Sequence, residues 1–197
     1  MRVTIHQPEH FPYMGFFQKL QSAEMFVVLD DVKFRKNYFQ NRNLIKDKSG
    51  NDVWVTIPVS KSAPSQLIKD ITVTDDEIWR RKILRTLKDN LKIDAAHVYA
   101  YNTLVDINMA SIMWAMKVFD IDVPIIRSSE ITKSGSKSEL LANIVKAVGA
   151  KTYISGPSGK DYLDMSFFDG IDVEFFQPQV KDYYSCLHTI SEKLRQR

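Results

Sequence analysis

Residues 25–31, MFVVLDD, are an unbroken apolar run closed by two carboxylates. A strand with one wet face alternates apolar and polar residues. A run that is apolar at every position is buried on both faces, like a strand of a parallel sheet between layers of helices. RVTIHQP (2–8) reads as another strand, of about four residues, which Pro8 stops. Between the two runs, Pro12 suits the first turn of a helix with Phe16, Phe17 and Leu20 as its apolar side. The first thirty residues therefore read as strand, turn, helix, strand.

The alternation continues. VPIIRSS (123–129), KTYISG (151–156) and GIDVEFF (170–176) read as further strands, and Ser136 with Glu139 spells a capping box for a helix from Lys137 to Val148 that Gly149 stops. This predicts an α/β fold: a mainly parallel, Rossmann-like sheet with flanking helices, in which strands 2–6, 25–30, 123–127 and 151–155 are neighbours. DVWVTIPV (52–59) alternates as a strand should. A helical insertion is expected around 75–120. Its first helix is capped by Thr74 or Asp75 and buries Ile83, Leu84, Leu87 and Leu91, with Arg80, Arg81, Lys82, Arg85, Lys88 and Lys92 opposite. NMASIMWAMKVF (108–119) is apolar nearly all round and reads as a buried helix. At 197 residues, positions 1–197 read as a single domain, or as one domain with an insertion.

Composition limits the partners. A formal net charge of +3 is too small to argue for nucleic acid unless the cations cluster. The single Cys186 cannot form an internal disulfide, which fits a reducing compartment. No stretch resembles a secretion signal or reaches the roughly 18 apolar residues of a bilayer span. A cytoplasmic protein with no membrane partner is expected; oligomeric state is not legible.

Four groups of residues carry chemistry. His6, Gln7, Glu9 and His10 place four polar side chains around Pro8, at the carboxyl end of the first strand. Ligands of open α/β sheets sit at such ends, and histidines there can donate to phosphate as charge develops. A zinc site is not predicted, because Pro8 removes the helical geometry that a four-residue histidine spacing would need. Asp30 and Asp31 end the second strand at the same edge and can hold Mg²⁺, an amine or a hydroxyl. KFRKNYFQNRN (33–43) interleaves Lys33, Arg35 and Arg42 with aromatics and the amides Gln40 and Asn41, a pattern suited to phosphates, rings and sugar hydroxyls. In SGPSGKDY (155–162), Ser155, Gly156, Ser158, Gly159, Lys160 and Asp161 form a loop whose amides can surround a phosphate, although it is not a Walker A loop.

The stretches IHQPEHFPYMGFFQKL, FVVLDDVKFRKNYFQNRN, WVTIPV, IKDI and YISGPSGKDYL together resemble the WbqC-like protein family, in the right order and over nearly the whole chain. The resemblance implies bacterial surface polysaccharide (O-antigen, lipopolysaccharide) biosynthesis. Members usually run on through a longer tail than YYSCLHTISEKLRQR, so any site residue carried there is expected to be absent or altered. The opening strand, histidine-bearing turn and helix are also similar to the nucleotidylyltransferase superfamily, and SGPSGKDY to the GxKD segment of pantothenate synthetase. These likenesses imply an acyl or aminoacyl transferase, or an ATP-dependent ligase, acting on the amine of a nucleotide-linked amino sugar. His6, His10, Asp30 and Lys160 would be catalytic and the remaining residues named above substrate-binding. Whether ATP and Mg²⁺ take part is left open. The alternative is a non-catalytic module that binds a nucleotide sugar or RNA.

Overall fold

In the computed structural model, which describes residues 1–196, the elements run in this order: β1 (Arg2–His6), α1 (Met14–Gln21), β2 (Met25–Val28), β3 (Arg42–Lys46), β4 (Asp52–Thr56), α2 (Glu77–Leu91), α3 (Leu104–Val118), β5 (Ile125–Arg127), α4 (Lys137–Ala147), β6 (Thr152–Ser155), α5 (Gly159–Tyr162), β7 (Asp172–Phe175) and α6 (Leu187–Arg195). They fall into two compact units. One comprises Met1–Gln7, Gly15–Asp30 and Ile121–Val180; the other comprises Pro8–Met14, Asp31–Asp120 and Lys181–Arg197.

The first unit is the predicted parallel sheet. Its strands lie in the order β5-β2-β1-β6-β7 and all pairs are parallel. Counting only this sheet's strands along the chain, the order is 3-2-1-4-5, the doubly wound Rossmann arrangement. The expected neighbours are neighbours. The reason is the composition of the strands: Val3, Ile5, Val27 and Tyr153 meet Leu141, Ile144 and Val145 of α4 and Phe168 in one apolar cluster. In β2, apolar residues at successive positions leave no face that water could cover.

Helix α4 begins where the sequence places it and ends one residue sooner, at Ala147, but it does not start by the predicted capping box. Ser136 makes no side-chain cap hydrogen bond, because Lys137 turns left-handed at φ 51° and redirects the chain at the point where a serine cap would reach inward. The carboxyl end follows expectation. Gly149 is left-handed at φ 70°, and the Ala150 amide donates to the Val145 carbonyl at 3.0 Å, closing a Schellman motif.

The second unit holds the predicted helical insertion and two elements the sequence did not announce. Strand β3 pairs antiparallel with β4, Leu44 opposite Trp54, as a separate two-stranded sheet. Helix α6 supplies buried Leu187 and Ile190. The cap of α2 is Asp76, whose carboxylate accepts from the Ile78 amide at 2.8 Å, rather than Thr74 or Asp75. Arg80 does not belong to the solvated basic face. It is buried, donating through Nε to the Tyr99 carbonyl and through Nη2 to the Tyr101 carbonyl and Asn102 Oδ1, each at 3.0 Å. Pro12 lies outside the helix it was expected to open, since α1 starts only at Met14.

Candidate functional site

In an open α/β sheet, the strand order reverses at one place, and ligands bind beyond the carboxyl ends of the two strands that flank it. Here those strands are β1 and β6, which end at His6 and Ser155. The first unit therefore gathers His6, Gln7, Asp30, Ser155, Gly156, Ser158, Gly159, Lys160 and Asp161 from the carboxyl ends of its strands and the segments that follow them.

His6 is partly buried, with its ring edge-on to Phe16 at 5.1 Å. Its Nδ1 lies 2.9 Å from the Gln7 carbonyl, which can only accept, so the proton sits on Nδ1. Burial first, and then the Lys19 ammonium, pull its pKa from 6.5 to about 3. The ring is neutral at pH 7, a hydrogen-bonding group rather than a proton donor in waiting. A bound anion close by would raise that value.

Asp30 is completely buried and its carboxylate is already engaged. It accepts from the Ser129 amide at 3.0 Å, Ser129 Oγ at 2.8 Å and Ser128 Oγ at 3.2 Å, tying the end of β2 to the turn after β5. A carboxylate so occupied positions a loop more readily than it ligates a cation. Nor do the described residues contain a group of three or more His, Cys, Asp or Glu side chains able to hold a metal ion.

The SGPSGKDY loop folds over its own first residue. Ser155 is fully buried, and its Oγ makes no hydrogen bond of full geometry, although the Tyr153 and Tyr162 phenols lean on it. Gly159 opens α5 directly above it: a Cβ there would lie 2.1 Å from Ser155 Oγ. Only glycine allows so close an approach. Lys160 and Asp161 remain exposed, and the Lys160 ammonium lies 5.5 Å from the Phe175 ring centroid.

The other predicted residues belong to the second unit. Glu9 is buried, and His10 is wholly so; His10 Nε2 meets the Tyr99 hydroxyl at 2.9 Å, while Nδ1 has no hydrogen-bond partner. Burial alone holds the His10 pKa near 3. Asp31 is half-buried and Lys33 exposed. The basic-aromatic segment is a folded loop, not an open ladder: Gln40 Oε1 accepts from the Arg35 amide at 2.7 Å, and the Arg35 guanidinium lies 4.5 Å over Tyr38. Asn41 is buried, its Nδ2 donating to the Ile57 carbonyl at 3.1 Å. Arg42 lies 4.1 Å over Trp54 with its Nε buried and unpartnered. Asn41 Oδ1 and Asn108 Oδ1 are likewise buried without a partner.

The model of the WbqC-like protein family matches residues 7–190. The chain belongs to that family. It is also 28% identical over 185 residues to "Uncharacterized protein Rv1507c" of Mycobacterium tuberculosis (strain ATCC 25618 / H37Rv), an alignment that covers 87% of this chain and 79% of that one. No solved structure matches significantly. Among the described residues, no helix of this WbqC-like protein is long and apolar enough to cross a membrane.

Several residues that build these surroundings escaped the sequence reading. Asn43 Nδ2 donates to the Phe11 carbonyl at 2.7 Å and the His10 carbonyl at 3.2 Å, and the Phe11 amide donates to Ser111 Oγ at 3.1 Å. Together they hold Phe11 left-handed at φ 44°, a strained state for a phenylalanine that costs on the order of 1–3 kcal/mol. A lone asparagine in a basic loop or an apolar helix gives no warning of such a role. Ser128 and Ser129 looked like an ordinary strand end, and Trp54 like one more alternating strand residue.

Proposed function

We propose that this WbqC-like protein is an enzyme of bacterial surface polysaccharide biosynthesis. It binds a nucleotide-linked amino sugar at the carboxyl edge of the five-stranded sheet and transfers an acyl or aminoacyl group to the sugar's amine. The observation that carries the reading is the strand order, which makes β1 and β6 the reversal point and puts His6 and the Ser155–Lys160 loop at its edge. Family membership supports the pathway, and the exposed Lys160 ammonium supports a phosphate.

In this reading the loop amides and Lys160 take a phosphate. Neutral His6, its Nδ1–H fixed on the Gln7 carbonyl, keeps the basic lone pair of its ring on Nε2. The amine lone pair attacks the acyl carbon, the amine loses a proton, and the donor's leaving group departs with the bonding pair. A phosphate beside His6 raises the basicity of its ring, which then suits it to receive that proton. Asp30 fixes the loop of the first unit. In the other unit, described by itself, Asp31 has the chemistry to orient an amine or hold Mg²⁺, Lys33, Arg35 and Arg42 have the charge to bind phosphate, and His10 is buried.

The test supplies UDP-glucosamine with acetyl-CoA, or with ATP and an amino acid, and looks for an amide product by mass. Turnover that falls by about 10²-fold in His6→Gln and Lys160→Ala variants of unchanged melting temperature is the expected result. No product, together with equal affinity for UDP-glucosamine in wild type and both variants, overturns the assignment.

A further inference from the structure

The second unit contains a cleft of about 260 Å³ walled by Trp54, Thr56 and Pro58 on one side and Trp79, Lys82 and Thr86 on the other. Lys82 and Thr86 also line an adjoining shallower depression of about 370 Å³ with Arg81 and Arg85. Neither cavity is lined by a residue used in the reaction proposed above, although Arg42, given a phosphate there, backs the lining Trp54. The smaller one lies just under the ~300–1,000 Å³ of common small-molecule sites, room for about one ring system, and the neighbouring one is bordered by cations.

Both tryptophans are backed by arginine. The Arg42 guanidinium lies 4.1 Å from the Trp54 centroid and the Arg80 guanidinium 4.7 Å from that of Trp79. Trp79 is a fixed wall, buried, with its Nε1 donating to the Thr74 carbonyl at 2.9 Å. Trp54 is 47% exposed, a large aromatic surface left in water on a strand whose alternate residue Val55 is buried. A cation over one face of an indole draws π density toward itself. The other face then favours a flat heteroaromatic ring over the C–H groups of a sugar, whose attraction depends on that density.

The geometry points to a second ligand site, in which a free nucleotide stacks its base on Trp54 and lays its phosphate against Lys82 and the neighbouring Arg81. Thr56 and Thr86 offer hydroxyls to the base edge or the ribose. A mononucleotide fits better than an RNA strand, because the cation row of α2 is interrupted: Arg85 is paired with Asp89 at 3.5 Å, and Arg80 is turned inward to the Tyr99 carbonyl at 3.0 Å. A polyanion needs an unbroken track of cations, whereas one phosphate needs one or two.

The experiment titrates AMP into the full-length chain while following tryptophan emission and heat. Saturable quenching is expected. It should vanish in Trp54→Phe, weaken about tenfold in Lys82→Gln, and persist in His6→Gln and Lys160→Ala. Ribose 5-phosphate should compete at least about tenfold less well than AMP, since it lacks the base. Lys82 is exposed, so its variant tests the site even if a Trp54 variant proves unstable. The inference is overturned by quenching that survives Trp54→Phe, by ribose 5-phosphate competing as well as AMP, or by no AMP binding while a decameric RNA binds with a steep salt dependence. Because His6 and Lys160 are separate from this cleft's lining, loss of AMP binding with intact amide formation rejects this site alone. Intact quenching with no product rejects the reaction alone.

Discussion

Asn108 donates its side-chain amide to the Pro8 carbonyl at 2.9 Å, and the same nitrogen reaches the Gln40 carbonyl at 2.7 Å. One fully buried side chain on α3 thus satisfies two backbone acceptors from two different loops. Replacing Asn108 with Ala strands both carbonyls in an apolar interior, each at about 1–3 kcal/mol. Asn108→Ala should lower the free energy of unfolding by about 3 kcal/mol, measured as a fall in the urea midpoint at constant m. A change below about 0.5 kcal/mol would mean that the loops are held otherwise.

The Asp30 clasp makes a similar demand in the first unit. Asp30→Ala removes the acceptor of three hydrogen bonds from Ser128 and Ser129. A loss on the order of 3 kcal/mol is expected, given the strength of hydrogen bonds to a carboxylate. If Asp30 serves chemistry instead of position, the variant keeps its stability and loses only turnover, and chemical denaturation separates the two.

Gly159 and Ser155 should be coupled. A methyl group at 159 meets Ser155 Oγ at 2.1 Å and Ser155 Cβ at 3.1 Å. Gly159→Ala alone should destabilise by about 1–3 kcal/mol through overpacking. Adding Ser155→Ala removes the nearer atom and should restore part of that loss, so the double mutant is less destabilised than the sum of the two single changes. Strict additivity would show that the loop moves away as a whole.

Acid should weaken the fold through its buried histidines. His10 titrates at 6.5 when unfolded and near 3 when folded, and burial is the cause. Between those values the unfolded chain binds a proton that the folded chain refuses, so stability rises with pH across the window and is lost as pH falls. The slope is about 1.4 kcal/mol per pH unit for each such histidine below ~6.5. His6 shifts in the same direction, by burial and then by Lys19. Urea midpoints from pH 7 to pH 5 should therefore fall, and fall less steeply in His10→Gln. Parallel pH profiles for wild type and variant would refute the buried, neutral ring.

Much of the first unit was legible because burial on both faces of a strand leaves a purely local trace. Val27 and Val28, or Tyr153 and Ile154, announce it at successive positions, and the Gly149 stop of α4 is equally local. The carboxyl-edge residues followed directly from that reading, since a parallel sheet puts every strand's end on one side. The two-stranded sheet was harder. Asp52–Thr56 alternates, whereas Arg42–Lys46 is masked by the basic loop that leads into it, and only pairing with Trp54 and Val55 makes it a strand.

The sequence by itself determined the main alternation of strands and helices in the first unit, the parallel sheet and the residues at its edge, because each depends on the composition of a few adjacent positions. Tertiary structure alone decided which polar groups are consumed by the fold. Arg80 reads like its exposed neighbours until Tyr99, Tyr101 and Asn102 surround it. Asn108 reads like an interruption of an apolar helix until Pro8, one hundred residues away, presents its carbonyl. His10 reads like a group that titrates near neutrality until burial strips it of charge. Hydrogen bonding and desolvation act through neighbours in space, and those neighbours leave no mark on the residues beside them in the chain.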